Sequence, residues 1–165
     1  MDKIEQRLLR AEATLEIMRL KARYAGFADA KYTDDHRKKP SAERDAIAMR
    51  QAECFTEDGE FDAGAVGGIA KGRTAIFENF RSKPLLFAMH VFTNPAIDIA
   101  PGGATATGRW MHYLLITPDD TRVPTHGMGF TNDTYRRTGG DWLFARVEVR
   151  FKFVVPFTQP WTPAA

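Results

Sequence analysis

The stretch MHVFTNPAIDIAPGGATATGRWMHYLLI, Met89 to Ile116, decides how the rest of the chain is read. Two runs of apolar and β-tolerant residues flank the breaker Pro101-Gly102-Gly103, a pattern that predicts two strands joined by a turn. Strand side chains alternate, so Gly108, Trp110, His112, Leu114 and Ile116 share one face and Arg109, Met111, Tyr113 and Leu115 the other. Each strand carries a histidine, His90 and His112. An imidazole among aromatic and aliphatic neighbours is either a hydrogen-bonded core group or the lining of a polar cavity. A cavity is the expectation here, and the remaining chain has to supply its walls.

Beyond this pair the extended pattern continues through Met128–Arg137 and, after Thr138-Gly139-Gly140-Asp141, through Trp142–Val155. In the last strand Leu143, Ala145, Val147, Val149, Phe151 and Phe153 fall on one face. Trp142, Phe144, Arg146, Glu148, Arg150 and Lys152 fall on the other, and the pattern alone leaves the direction of Arg150 open. Before Pro84 the spacing is helical. Residues 4–30 predict a long helix with a buried stripe of Ile4, Leu8, Ala11, Leu15, Met18, Ala22 and Ala25, widened by Ile17, Leu20, Tyr24 and Phe27. Tyr24 and Asp29 lie about 140° apart on an ideal helix, so they reach one cavity only if the last turn distorts at Gly26. A polar segment, 31–40, leads to a second helix, Ala42–Phe55, with Ser41 as its cap and Ala46, Met49 and Ala52 inward. EDGEFDAG gives a turn and a short strand, and Arg73–Arg81 a short helix with Ile76, Phe77 and Phe80 inward. Helices first and a meander last predict an α+β fold, one domain over residues 1–155 with helices packed on a curved antiparallel sheet. The proline-broken tail, 156–165, is expected to pack as an extended arm.

Composition narrows the function classes. A chain of 165 residues with 44% hydrophobic and 27% charged residues suits one globular domain. A formal charge of +2 gives no argument for nucleic acid or an anionic membrane as a partner. Cys54 is the single cysteine, set in a helical pattern, so no intrachain disulfide and no oxidising compartment is implied. No apolar run reaches membrane-spanning length and MDKIEQRLLR is not signal-like, which predicts a cytoplasmic protein. His36, His90, His112 and His126 form neither H-x-H nor H-E-x-x-H, so no metal site is expected, and His126 is assigned to a turn or rim. Gly64, Gly67 and Gly68 form a flexible loop rather than a dinucleotide fingerprint, so no cofactor is expected.

The order of motifs carries a resemblance. A long helix ending in RYAGFAD, then FTEDGEF, then KGRTAI, then the histidine-bearing pair and GFTNDTYRRTGGDWLFARVEVR, is similar to the NTF2-like superfamily, a cystatin-like cone, in its SnoaL-like branch. It looks most like the bile acid 7α-dehydratase group. The resemblance implies a cone-shaped cavity lined by Tyr24, Asp29, His90 and Arg150. A second aspartate of that group is replaced by Leu114, which removes a candidate acid and argues against the same substrate. His112, two residues earlier on the same face, brings an imidazole near that place. The segment from Tyr32 to Pro40 is longer than in that group and is read as a flap over the cavity mouth.

Such a constellation suits elimination next to a carbonyl, which needs a base for the C–H, an acid for the departing hydroxyl and a donor for the enolate. His90 is assigned as base, Asp29 as its orienting partner, Tyr24 as donor or acid, and Arg150 as a site for a substrate carboxylate or phosphate, or as a support for Asp29. Trp110, Phe87, Phe92, Met128 and Phe130, with His112 and Leu114, are the expected substrate-binding wall. The first reading is a cofactor-independent lyase or isomerase, dehydratase-like, acting on a hydrophobic steroid- or polyketide-like molecule. The alternatives are a non-catalytic carrier of a small ligand, and a structural partner like the small subunits of ring-hydroxylating dioxygenases. An apolar sheet face is costly to leave bare, so a homodimer or homotrimer is expected.

Overall fold

A computed structural model describes residues 2–157, so the expected arm beyond Phe157 lies outside the described residues. Helix α1 (Lys3–Asp29) starts with a capping box in which the Asp2 carboxylate accepts from the backbone of Ile4 and Glu5. Helix α2 (Ser41–Ala52) follows, then β1 (Phe55–Asp62), the short α3 (Gly64–Gly67), β2 (Ile69–Lys71) and α4 (Arg73–Arg81). The last four elements are the strands β3 (Leu85–Ile99), β4 (Thr105–Pro118), β5 (Thr125–Thr138) and β6 (Asp141–Pro156). All six strands form one sheet in the order β2-β1-β6-β5-β4-β3. It is an α+β cone of the NTF2-like type. The sheet is mixed rather than wholly antiparallel, because β1 runs parallel to β6.

The sheet curls around α1, and of the expected broad stripe it is the widening line, Ile17, Leu20 and Tyr24, that turns inward. Ala13, Ile17, Leu20, Lys21, Tyr24 and Ala28 are buried, whereas Ile4 is 74% and Leu8 57% exposed, and Leu15 and Met18 are exposed as well. Both lines of residues have helical spacing. The one with the larger side chains toward the C-terminal half wins, because that half lies over the concave sheet face. In α2 the buried residues are Ala48, Gln51 and Ala52, with Met49 exposed. That helix stops at Ala52, so Cys54 sits buried in the turn before β1, and Phe55 belongs to the strand.

Two irregularities decide which strand residues face the interior. The β5–β6 pairing passes from Tyr135↔Phe144 to Thr134↔Arg146, an extra residue that turns Trp142 and Phe144 inward together with Val147 and Val149. The strict alternation expected for β6 therefore breaks at Ala145. A second shift separates Met128↔Phe153 from Gly129↔Phe151. Here a Cβ on Gly129 would collide with the backbone of Arg150 and Phe151, so the strands approach more closely than any side chain permits. On β5 the interior face is Gly127, Gly129, Thr131, Asp133 and Tyr135, and Met128 and Phe130 point to the other side. In β4 the alternation holds: Ala106, Gly108, Trp110, His112 and Leu114 are buried.

Candidate functional site

The closed end of the cone is filled. Trp110 Nε1 donates to the Tyr135 hydroxyl (2.9 Å), which donates to Asp133 Oδ2 (2.8 Å). The same oxygen accepts from Lys21 Nζ (2.7 Å), and Lys21 also donates to Thr131 Oγ1 (2.9 Å). The Lys21 and Asp133 side chains are 1% and 0% exposed. Burial pulls the Lys21 amine below its ordinary pKa and the neighbouring carboxylate acts against that pull. Phe92, Tyr24, Trp110 and Phe144 surround the ammonium, with the Phe92 ring centroid 4.1 Å away. Trp110, expected as a cavity wall, is thus part of this plug.

Toward the open end the sheet and helices leave a cavity of about 150 Å³. Its apolar lining includes Phe61, Phe80, Phe92, Leu114, Val147, Val149 and Phe151, and its polar lining includes Tyr24, Lys31, Gln51, Lys83, His90 and His112. The structure brings Asp29 and His90 together: Nδ1 of His90 lies 2.7 Å from Asp29 Oδ1. The carboxylate also accepts the backbone N–H of His90, at 3.1 and 3.2 Å to its two oxygens. That N–H is free because β3 is the last strand of the sheet, and α1 lies along its unpaired edge. An ionised carboxylate only accepts, so Nδ1 carries a proton, and in the neutral ring Nε2 is the nitrogen with the lone pair.

No distortion of the helix is needed for this. The α1 helix runs unbroken through Gly26 to Asp29, with Tyr24 directed into the interior and Asp29 toward the sheet edge. The 140° between them is spanned by His90, whose ring lines the cavity while its Nδ1 faces the helix. Burial raises the Tyr24 phenol well above its ordinary pKa, so it stays an O–H donor. His112 is 3% exposed and neither of its ring nitrogens has a partner. Its ring lies nearly parallel to those of Phe92 and His90 on the neighbouring strand, at centroid distances of 4.5 and 5.7 Å. Desolvation, with His90 and Lys21 adding repulsion, lowers its pKa to about 2, so it is a neutral imidazole.

Four expected site residues lie elsewhere. Arg150 has a side chain 47% exposed on the convex face, where it donates to Asp62 (2.9 Å) and Glu148 (2.9 Å), because β6 alternates without a break from Val147 to Phe151. Met128 and Phe130 share that convex side, Phe130 under the guanidinium of Arg109 at 4.1 Å. Phe87 follows a register shift in β3 and packs against Tyr32 and His36 instead. The segment between α1 and α2 is held there by a Tyr32–Lys38 bridge and by a Lys38–Asp119 ion pair. Tyr32 is part of the cavity lining. His126, assigned to a turn or rim, belongs to β5 and contacts the Tyr113 hydroxyl (3.1 Å) and the Phe157 ring.

Sequence reasoning missed Lys31, Lys83 and Gln51. Burial lowers the amines of Lys31 and Lys83 to a pKa of about 8 each, with the charge of Lys83 adding to the effect on Lys31. Nothing in the local pattern separates these lysines from solvated ones. The buried position of Asp133 was accessible in principle, since it alternates with Thr131 and Tyr135 next to two small glycines. Among the described residues no group of three His, Cys, Asp or Glu side chains is placed to hold a metal, and no helix is long and apolar enough to cross a membrane.

Known structures share this architecture. A candidate scytalone dehydratase from Novosphingobium aromaticivorans superposes with a TM-score of 0.73 at 19% identity, covering 92% of each chain. A hexachlorocyclohexane dehydrochlorinase from Novosphingobium barchaimii gives 0.74 at 16% identity, over 95% of this chain and 99% of that one. A candidate aromatic ring hydroxylase from Novosphingobium aromaticivorans gives 0.71 at 22% identity, over 89% and 94%. At these identities the likeness is one of fold. No curated protein matches the sequence. Residues 45–148, more than half of the chain, match the model of the SnoaL-like domain. The matched segment contains His90 and His112, and Tyr24, Asp29 and Lys31 precede it.

Proposed function

We propose that this chain, which belongs to the SnoaL-like family, is a cofactor-independent lyase or isomerase whose base is His90. The observation that carries the reading is the 2.7 Å contact between His90 Nδ1 and Asp29, made by a ring that also lines the cavity. With Nδ1–H held by the carboxylate, Nε2 is the free basic nitrogen, and the pair stabilises the imidazolium formed when a C–H proton is taken. Tyr24 is a hydrogen-bond donor to the developing enolate oxygen. Its raised pKa makes it a poor proton source for a leaving group, so in an elimination the His90 imidazolium, which holds the abstracted proton, passes it to the departing hydroxyl on the same face of the substrate. His112, neutral and unpartnered, offers one donor and one acceptor to the bound molecule.

The cavity of about 150 Å³ bears on the substrate. A dry cavity of about that size holds a molecule such as benzene. A polyketide-like aromatic with one ring inserted suits it better than a four-ring steroid body, which would project through the mouth. The segment from Tyr32 to Pro40 acts as the flap there, and the departure from the bile acid dehydratase pattern at Leu114 fits a different substrate. The protein acts as a homo-oligomer that covers its convex sheet face, where Met89, Val91 and Phe153 are exposed.

Turnover tests this directly. On a substrate found by screening dehydration and isomerisation of small aromatic or alicyclic carbonyl compounds, His90→Ala and Asp29→Asn are expected to abolish product formation while both variants stay folded. Full activity in both would show the assignment to be wrong. The burial of apolar Leu114 in the lining favours one second reading, a non-catalytic carrier. In that case the same variants change affinity, and a bound carbonyl compound is recovered unreacted.

A further inference from the structure

Two amines enter the cavity without an ion-pair partner, although the Asp29 carboxylate acts on Lys31 from farther away. Lys31 is buried, and its Nζ donates to Gln51 Oε1 (2.9 Å) and to the carbonyl of Phe80 (3.3 Å). Lys83, half-buried after α4, donates to the carbonyl of Gly67 (2.5 Å). Among the described residues no carboxylate oxygen lies within ion-pair distance of either, although the chain has acidic partners for Lys21, Lys38 and Lys39. An ammonium has three donors, so Lys31 keeps one unused and Lys83 two. Their other surroundings include Phe61, Phe80 and Leu85, in which an uncompensated charge is expensive. The two charges repel each other as well, which is part of why the Lys31 amine gives up its proton easily.

We propose that Lys31 and Lys83 together bind a carboxylate on the ligand, so that the substrate is a small cyclic acid rather than a neutral molecule. This rests on the reading of the cavity as a ligand site. The chemistry is that of a missing partner. Carbonyl groups satisfy part of the hydrogen bonding of each amine and none of its charge, and an entering carboxylate supplies the charge while accepting the unused N–H bonds. Arg150 is turned away on the convex face and occupied by Asp62 and Glu148, so the two lysines take the anion-binding role expected of it. His112 points independently to a polar ligand, since both its nitrogens remain unpaired inside the same wall. The apolar lining then receives the ring, with the acid group held at the side where α3 and the α4–β3 connection meet.

The experiment compares 4-ethylbenzoate with 4-ethylbenzamide, which share shape and differ in charge, by ligand-observed NMR titration of the full chain at pH 7. The benzoate is expected to bind at least tenfold more tightly than the amide. Lys83→Ala, at the half-buried position, should cut that ratio severalfold, and Lys31→Met with Lys83→Met should erase it, with circular dichroism confirming that the variants are folded. Equal affinities for the two compounds in the unaltered protein, or no saturable binding of the benzoate, would overturn the proposal without recourse to any variant. His90→Ala is expected to leave the preference in place. A surviving preference with no turnover on any acid would therefore refute the catalytic reading and keep this one.

Discussion

The closed end of the cone and the cavity beside it are both buried and both polar, yet they are built on opposite principles. At the closed end Lys21, Thr131, Asp133, Tyr135 and Trp110 form a single connected network in which the ammonium has its counter-ion, and of the Asp133 carboxylate only Oδ1 is left without a partner. In the cavity Lys31 and Lys83 have neutral partners only, and His112 has none. Low dielectric strengthens a completed network and penalises an incomplete one. The first arrangement holds the fold together. The second persists at a cost in stability, and that cost has a purpose only if something arrives to complete it.

The contrast can be broken most forcefully at Lys21. Lys21→Met removes the counter-ion of the buried Asp133 and should cost about 3–5 kcal/mol in urea unfolding. Lys21→Met combined with Asp133→Leu should recover much of that loss. If the single variant is neutral, the closed end is not the structural half of the comparison. The next largest effect falls on chemistry rather than stability: His90→Ala should lower kcat by about 10²–10⁴-fold, the usual worth of a positioned base, with a much smaller change in unfolding free energy.

His112 sharpens the comparison through pH. Its folded pKa of about 2 lies below that of the unfolded chain, so below pH ~6.5 the unfolded state takes up a proton that the folded state refuses. Its share of stability is complete above that pH and is lost, at up to about 1.4 kcal/mol per unit, as the pH falls. His112→Leu should flatten this acid limb in unfolding experiments from pH 7 to 4. The variant should also be more stable than the parent at neutral pH, because two unpaired nitrogens disappear. The smallest expected effect is at Gly26, where an added Cβ meets nothing within 4 Å. Gly26→Ala should raise stability by about 1 kcal/mol without altering turnover, since the last turn of α1 already places Tyr24 and Asp29 undistorted.

The same two regions explain what was legible in the sequence. In β4 the alternation of Trp110, His112 and Leu114 is regular, and the reading of their shared face holds in the structure. The pairing of β5 with β6 contains two extra residues, both on β6, and the one at Ala145 reverses the face of the residues before it, so Trp142 and Phe144 lie opposite to a simple period of two; β5 itself alternates regularly and places Met128 and Phe130 outside. Hydrophobicity misled further, since the interior face of β5 is made of glycine, threonine and aspartate where strands crowd. In α1 two apolar lines compete, and only the curvature of the sheet chooses between them. A buried lysine looks like any other lysine until its partners are known, which is why Lys21, Lys31 and Lys83 stayed hidden. Asp29 and His90 were found through their resemblance to a family pattern, since their sequence separation alone does not bring them together.

Asn94 and Pro95 break the pairing of β3 with β4 between Thr93 and Ala96, and Asn94 adopts a φ of +49° there. This kink lies on the outermost strand, where proline supplies no N–H and the chain bows out of line. A strand from another molecule laid alongside would miss a rung at its midpoint and meet a bent template. Growth of the sheet from one copy into the next is thereby discouraged, and any self-association is steered to the broad faces of the cone.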